Sequence, residues 1–389
     1  MIRIIDKHNC CGCSACVQIC PKKCISFQED LQGFKYPKVD GNLCVKCGKC
    51  QKVCPVLNHS EPQSPINVYA AINPDEGIRA MSSSGGVFSA LAELIINQGG
   101  VVFGASFNSK WEVIHSYAES ISDTIKFRGS KYVQSNMGDN YTKVRDILLD
   151  GRKVLFSGTP CQVMGLKKFL QKEYDNLVTV SVVCHGVPSP LVWQTYLDNL
   201  LLANPGQLTD ISFRDKSTGW KNYNFRVNGV RDGAETESEY LCEPFSQNLY
   251  MQLFSNNLSL RPSCFQCPAN HGKSQSDIVI ADYWGVDVIH PEISDNKGIS
   301  LVLIYTSKGM NYWDSLYIKK LKSTYDRAVN YNSSIEKCVK EPVFNQLFWK
   351  MFYRSRLDKI GPLLNIIGIC RYARYIFNRV LIKLKRIIK

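Results

Sequence analysis

The chain has 389 residues, enough for two or three domains with separate cores. Its 47 Lys and Arg against 34 Asp and Glu give a formal charge of +13, yet no nucleic-acid reading motif accompanies that excess, which argues against a nucleic-acid partner. Seventeen cysteines without an apolar leader argue against a secreted disulfide framework, and no window reaches the ~18 apolar residues of a spanning helix, so the expected setting is a reducing cytoplasm.

Residues 1–58 read as an α+β ferredoxin-like head. Cys10, Cys13, Cys16 and Cys20 follow C-x2-C-x2-C-x3-C with Pro21 next; Cys44, Cys47, Cys50 and Cys54 repeat the spacing with Pro55 next. In the bacterial two-cluster pattern the fourth cysteine of each run ligates the other run's cluster. Three thiolates on a tight loop cap three irons of a cubane, and the short helix behind them carries the fourth to the neighbouring cube. One 4Fe-4S cluster is therefore assigned to Cys10, Cys13, Cys16 and Cys54, the other to Cys44, Cys47, Cys50 and Cys20. Zinc usually takes CxxC pairs separated by a longer gap. Each cubane with four thiolates carries about −2, which brings the charge to about +9. Ile25 to Phe27 and Phe34 to Tyr36 read as small strands over the clusters, with Cys11 and Cys24 as bystanders.

A linker with Pro62 and Pro65 precedes an α/β body with a mixed sheet. Val68–Ile72 reads as a strand, Ser84–Asn97 as a helix, and Val101–Ala105 and Val113–Ser116 as strands. Val154–Ser157, Gln162–Leu170 and Val178–Val183 form the clearest βαβ unit. Ile211–Arg214, Tyr223–Val227, Ile278–Ala281 and Leu301–Tyr305 read as further strands, in an order the sequence does not give. Parallel strands joined by a helix end at one sheet edge, so Cys161 after the first and Cys184 after the second should approach each other there. With the pair Cys264 and Cys267 they make four thiols. A third 4Fe-4S cluster, a zinc site and a free redox dithiol all fit that count. Cys242, Cys338 and Cys370 have no spacing partners and read as spare thiols. Ser82-Ser83-Ser84-Gly85-Gly86 opens a helix and offers backbone N–H groups to an anion such as a pyrophosphate, although such a segment is more often only a cap. Neither G-x-G-x-x-G after a strand nor a Walker A sequence is present.

The stretches SSSGGVFSALAELIINQGGVVFGASF, GSKYVQSN, GTPCQVMGLKKFL, VVCHGVPSP, SFRDKSTGW and RPSCFQC…SDIVIADYWG resemble the coenzyme F-420 hydrogenase/dehydrogenase beta-subunit family. The resemblance runs from about Val68 to about Ala328, and a ferredoxin head is a common fusion in that family. Residues 68–150 and 151–345 would be the two parts of its flavin-binding body. It implies an oxidoreductase with FAD, passing electrons between reduced F-420 or an equivalent donor and iron–sulfur clusters that serve a protein partner. The family's flavin-gripping motifs fall on Ser84, Gly85, Gly86, Lys131, Gly158 and Thr159, and its body cysteines on Cys161, Cys184, Cys264 and Cys267. No F-420 contact is identifiable. Two other functions stand beside this one: a non-catalytic electron-transfer adaptor, or a membrane-associated redox or interaction protein tied to surface-polysaccharide synthesis.

Some residues also have plainer readings. Lys131 alone is usually solvated, His185 is more often structural than a proton carrier, and Asp282, Trp284 and Gly285 fit a turn as well as a cofactor wall. Residues 360–389 hold seven Lys or Arg and no acid. As a helix they would align Ile369, Ala373, Ile376, Val380, Leu384 and Ile387 on one stripe, the make-up of an in-plane anchor on the inner membrane face or of a docked amphipathic helix.

Overall fold

The structure, a computed structural model, describes residues 1–370. At the amino end, α1 (Ala15–Gln18) and α2 (Lys49–Lys52) flank an antiparallel pair, β1 (Ile25–Glu29) and β2 (Lys35–Val39), with Ile25 opposite Val39. The two helices are built alike. Each starts after a left-handed residue, Ser14 at φ 73° or Gly48 at φ 75°, which closes the cysteine loop. Cys16 and Cys50 fall in the single helical turn, while Cys20 and Cys54 lie beyond its end.

Then follow β3 (Asn67–Ile72), α3 (Glu76–Met81), α4 (Val87–Asn97), β4 (Val101–Phe107), β5 (Val113–Ala118), α5 (Asn140–Leu149), β6 (Val154–Gly158), α6 (Pro160–Leu170), β7 (Leu177–Val182) and α7 (Pro190–Ala203). The remaining strands are β8 (Gly206–Asp215), β9 (Asn224–Arg231), β10 (Ser238–Pro244), β11 (Ile278–Asp282), β12 (Ser300–Ile304) and β13 (Lys319–Ser323). Eight strands make one mixed sheet in the order β13-β3-β12-β11-β7-β6-β4-β5. Its centre, β4-β6-β7-β11, is parallel, and the flanking pairs are antiparallel. Strands β8, β9 and β10 form a separate antiparallel sheet.

The central strands are apolar because both faces are covered. Val154 and Phe156 of β6 pack with Tyr141 and Val144 of α5 and Val163 and Leu166 of α6. Leu155, between them, turns to the opposite layer with Leu91 and Ile95 of α4. Ala15, Cys13 and Val53 of the amino-terminal segment join the α5–α6 core, which docks that segment against the body.

Boundaries differ from expectation where polar residues intrude. Strand β8 begins at Gly206, before Ile211, because Gln207, Thr209 and Asp210 are exposed on its solvent side. Strand β13 carries no apolar run. Helix α4 starts at Val87, since Ser82–Gly86 is a loop. Helix α6 starts at Pro160, two residues before Gln162. A helix runs over 361–370; the rest of the proposed tail stripe, Ala373 to Ile387, lies outside the described residues. Among the described residues no helix is long and apolar enough to cross a membrane.

Candidate functional site: thiol-lined cavities leading to a cleft

The eight amino-terminal cysteines fall into two groups. Cys10, Cys13, Cys16 and Cys54 line one cavity of about 340 Å³, and Cys20, Cys44, Cys47 and Cys50 line another of about 340 Å³. Among the described residues no three His, Cys, Asp or Glu gather as a single metal ion requires. Each set instead rings a space, which is what a cubane needs. Burial, then the charges of Cys10, Cys54 and Cys50, push the Cys16 thiol up; iron bound as thiolate would replace the proton. The second cavity is the outer one: Cys47 is exposed, whereas Cys10, Cys13, Cys16 and Cys54 are all buried or half-buried. The Ile2 N–H donates to Cys50 Sγ at 3.3 Å.

The two extra thiols are close to these sets. Cys24 lines the second cavity with its Sγ 3.4 Å from Cys20 Sγ. Cys11 lines the first, is buried, and hydrogen-bonds to both Cys13 and Cys161. It thereby stands between the amino-terminal cysteines and the body.

Cys161 lies in the first turn of α6, just after β6, with Thr159 Oγ1 3.3 Å from its sulfur. Cys184 follows β7, and the two strands are parallel, so both thiols reach one sheet edge. Burial and then Cys264, Cys161 and Cys267 push the Cys184 thiol well up. Burial, followed by Cys161, pushes Cys267 up to about 12. The four body thiols thus act on one another, and these donors fit an iron–sulfur cluster. Cys338 is close by, accepting from the Cys267 N–H at 3.1 Å and from Asn270 Nδ2 at 3.2 Å.

A cleft of about 1980 Å³ opens at the carboxyl ends of β6, β7 and β11, the edge where open α/β sheets receive ligands. Ser84, Gly86, Lys131, Gly158 and Thr159 line it, together with Cys184 and His185. Gly85 lies behind the surface: its N–H donates to Ser300 Oγ at 2.9 Å, and a Cβ there would stand 2.3 Å from the Ala71 carbonyl oxygen. Gly86, at φ 84°, takes the left-handed turn that leaves the first N–H groups of α4 without a side-chain cap. Ser83 ties this loop to the Lys131 loop, accepting from the Ser130 N–H at 2.7 Å. Lys131 Nζ donates to the carbonyls of Arg128 and Gly129 at 3.1 and 3.2 Å, and burial pulls its pKa down to about 8.

Three cleft residues are not among the candidates read from the sequence. His115 stacks on Phe156 and lies between Ser135 Oγ (2.9 Å) and the Ser157 carbonyl (3.0 Å). Gln162 secures the β6–α6 turn, accepting from the Thr159 N–H at 2.9 Å and donating to Ser135 Oγ at 2.8 Å. Arg214 is buried, pairs with Asp282 through Nη1, and lies over the rings of Tyr223 and Trp284. Among the described residues its Nε and Nη2 have no hydrogen-bond partner. Asp282 also accepts from Trp220 Nε1 at 2.9 Å, and Trp220 stacks on Trp284, so these residues form a cleft wall. His185 Nε2 is 2.6 Å from Asn257 Oδ1, and burial lowers its pKa.

Residues 151–325 match the family model for the carboxyl-terminal part of the coenzyme F420 hydrogenase/dehydrogenase beta subunit, and residues 9–58 match a 4Fe-4S dicluster domain. The chain is 23% identical to a subunit of the F(420)H(2) dehydrogenase of Methanosarcina mazei, over 46% of this chain and 53% of that protein. It is 27% identical to the coenzyme F420-dependent sulfite reductase of Methanocaldococcus jannaschii, over 51% of this chain and 31% of that protein. It therefore spans about half of the first relative and about a third of the second. A chain of the F420-reducing [NiFe] hydrogenase complex from Methanosarcina barkeri superposes with a TM-score of 0.44 at 17% identity, covering 77% of this chain and 90% of that one. Residues 151–325 thus carry the carboxyl-terminal part typical of the coenzyme F420 hydrogenase/dehydrogenase beta-subunit family, and residues 9–58 a 4Fe-4S dicluster domain.

Proposed function

We propose that the protein moves electrons between a reduced deazaflavin or equivalent hydride donor in the cleft and a protein partner at its amino end, with FAD held in the cleft. The observation that carries this reading is the continuity of thiols. Exposed Cys47 belongs with Cys44 and Cys50, which share a small core with Cys16, Cys20 and Cys54. Cys13 and Cys11 share the next core with Cys161, and Cys184, linked to Cys161 through the body set, lines the cleft. Bound there, a flavin supplies the exchange between the electron pair of a hydride and one-electron carriers.

The residues have separable tasks in this proposal. The first amides of α4 and the Lys131 ammonium would hold the diphosphate. The free Nε and Nη2 of Arg214 would take an anionic or carbonyl group of a ring stacked near Trp284. Cys161, Cys184, Cys264 and Cys267 would hold a third cluster next to it.

FAD titration into anaerobic, flavin-stripped protein tests the reading. One FAD per chain should bind at pH 7. Because Lys131 loses its proton near pH 8, affinity should fall about tenfold by pH 9, and Lys131→Met should bind weakly with no such dependence. Absence of FAD uptake by the unaltered protein would favour a non-catalytic electron-transfer adaptor.

A further inference from the structure

Arg261 is 1% exposed, and all its hydrogen bonds go to uncharged groups. Nε donates to the Cys10 carbonyl at 2.7 Å, Nη1 to Gln134 Oε1 at 2.9 Å, and Nη2 to the Lys35 carbonyl at 3.0 Å and to Cys10 Sγ at 3.6 Å. Its guanidinium lies 4.3 Å from the Tyr36 ring centre and 5.3 Å from that of Phe34. The other deeply buried arginines are paired: Arg79 grips Asp295 with two nitrogens, and Arg214 holds Asp282. A guanidinium buried without an anion costs on the order of several kcal/mol. Arg261 is aimed at the missing negative charge, because Cys10 belongs to the cavity ringed by Cys10, Cys13, Cys16 and Cys54.

Its backbone faces the other way. The Arg261 carbonyl accepts from the Cys264 N–H at 2.9 Å, and its own N–H donates to the Val187 carbonyl at 3.0 Å. The Val187 N–H in turn donates to Cys264 Sγ at 3.4 Å. One residue therefore joins the inner amino-terminal site to the turn that carries Cys264 and Cys267.

We infer that Arg261 is the fixed counter-cation of the inner amino-terminal cluster and sets its reduction potential above the value the same four thiolates would otherwise give. Reduction adds a negative charge to the site, and a neighbouring permanent cation favours that state. Lys22, Lys46 and Lys49 line the outer cavity but are exposed, so water and salt screen them. Arg261 is shielded from both.

The inference rests on reading Cys10, Cys13, Cys16 and Cys54 as ligands of one cluster, and the test separates the two. Anaerobic Arg261→Met and Arg261→Lys proteins are compared with the unaltered chain by iron analysis and by redox titration followed by electron paramagnetic resonance. In Arg261→Met one midpoint should shift at least tenfold toward the oxidised form, about 59 mV more negative for a one-electron step, while the others stay. Arg261→Lys should recover most of the shift. Loss of about four irons in Arg261→Met but not in Arg261→Lys would also support the counter-cation. Full iron with unmoved midpoints, midpoints that all move together, or equal iron loss in both variants would overturn it. An unaltered chain without iron would instead remove the cluster reading itself.

Discussion

His115 shows how one buried side chain shapes the cleft floor. Burial pulls its pKa down to about 4, against the opposing effect of its bond to the Ser157 carbonyl. The imidazole is therefore neutral at pH 7: Nε2–H donates to Ser157, and Nδ1 accepts from Ser135. In the unfolded chain this histidine takes a proton near pH 6.5, whereas the folded protein resists it until about pH 4. Its contribution to stability is thus complete above about pH 6.5 and fades as the pH falls toward 4. Urea unfolding of the anaerobic protein should show a loss of about 2 kcal/mol between pH 7 and pH 5 from this group, and His115→Gln should remove that part of the slope. An equal slope in the variant would contradict the assignment. Nothing near His115 in the chain marks it, because Ser135, Phe156 and Ser157 reach it only through the fold. Arg214 and Arg261 escaped notice for the same reason. The amino-terminal cysteines were legible because their chemistry depends on spacing within one loop.

Among the elements, α6 has two roles. Its amino end turns Thr159 and Cys161 toward the cleft side, and its body carries the ferredoxin-like segment. Gly165 makes the second possible: a Cβ there would stand 2.8 Å from Cys13 Cβ and 2.9 Å from Tyr141 Oη. Gly165→Ala should therefore cost about 1–3 kcal/mol and deplete about four irons from the inner site, as read by thermal unfolding and iron analysis. Full iron and an unchanged melting temperature would mean the contact yields freely. The β6–α6–β7 unit was readable because its strands are covered on both faces and so are uniformly apolar. Strand β13, Lys-Lys-Leu-Lys-Ser, was not, since an edge strand carries the charges that block further pairing. Helix α7 is marked by signals that lie outside apolar periodicity: Ser189 caps it and Pro190 occupies its first turn.

Across the whole molecule, the ferredoxin-like segment, the α5–α6 layer and the cleft lie in sequence. Thiols occur at each step, from exposed Cys47 to cleft-lining Cys184. Such an arrangement suits transfer in single-electron steps between a surface partner and a two-electron ligand, and neither end could perform it alone. The positive charge is likewise distributed with purpose: a buried cation, Arg261, beside the inner site, and exposed lysines around the outer one. The measurement that tests this most directly is iron and flavin content on one anaerobically purified sample. The account predicts about twelve irons per chain, in three clusters, with one releasable flavin. About eight irons and no flavin after reconstitution would contradict it, leaving a two-cluster carrier attached to a body with no redox role.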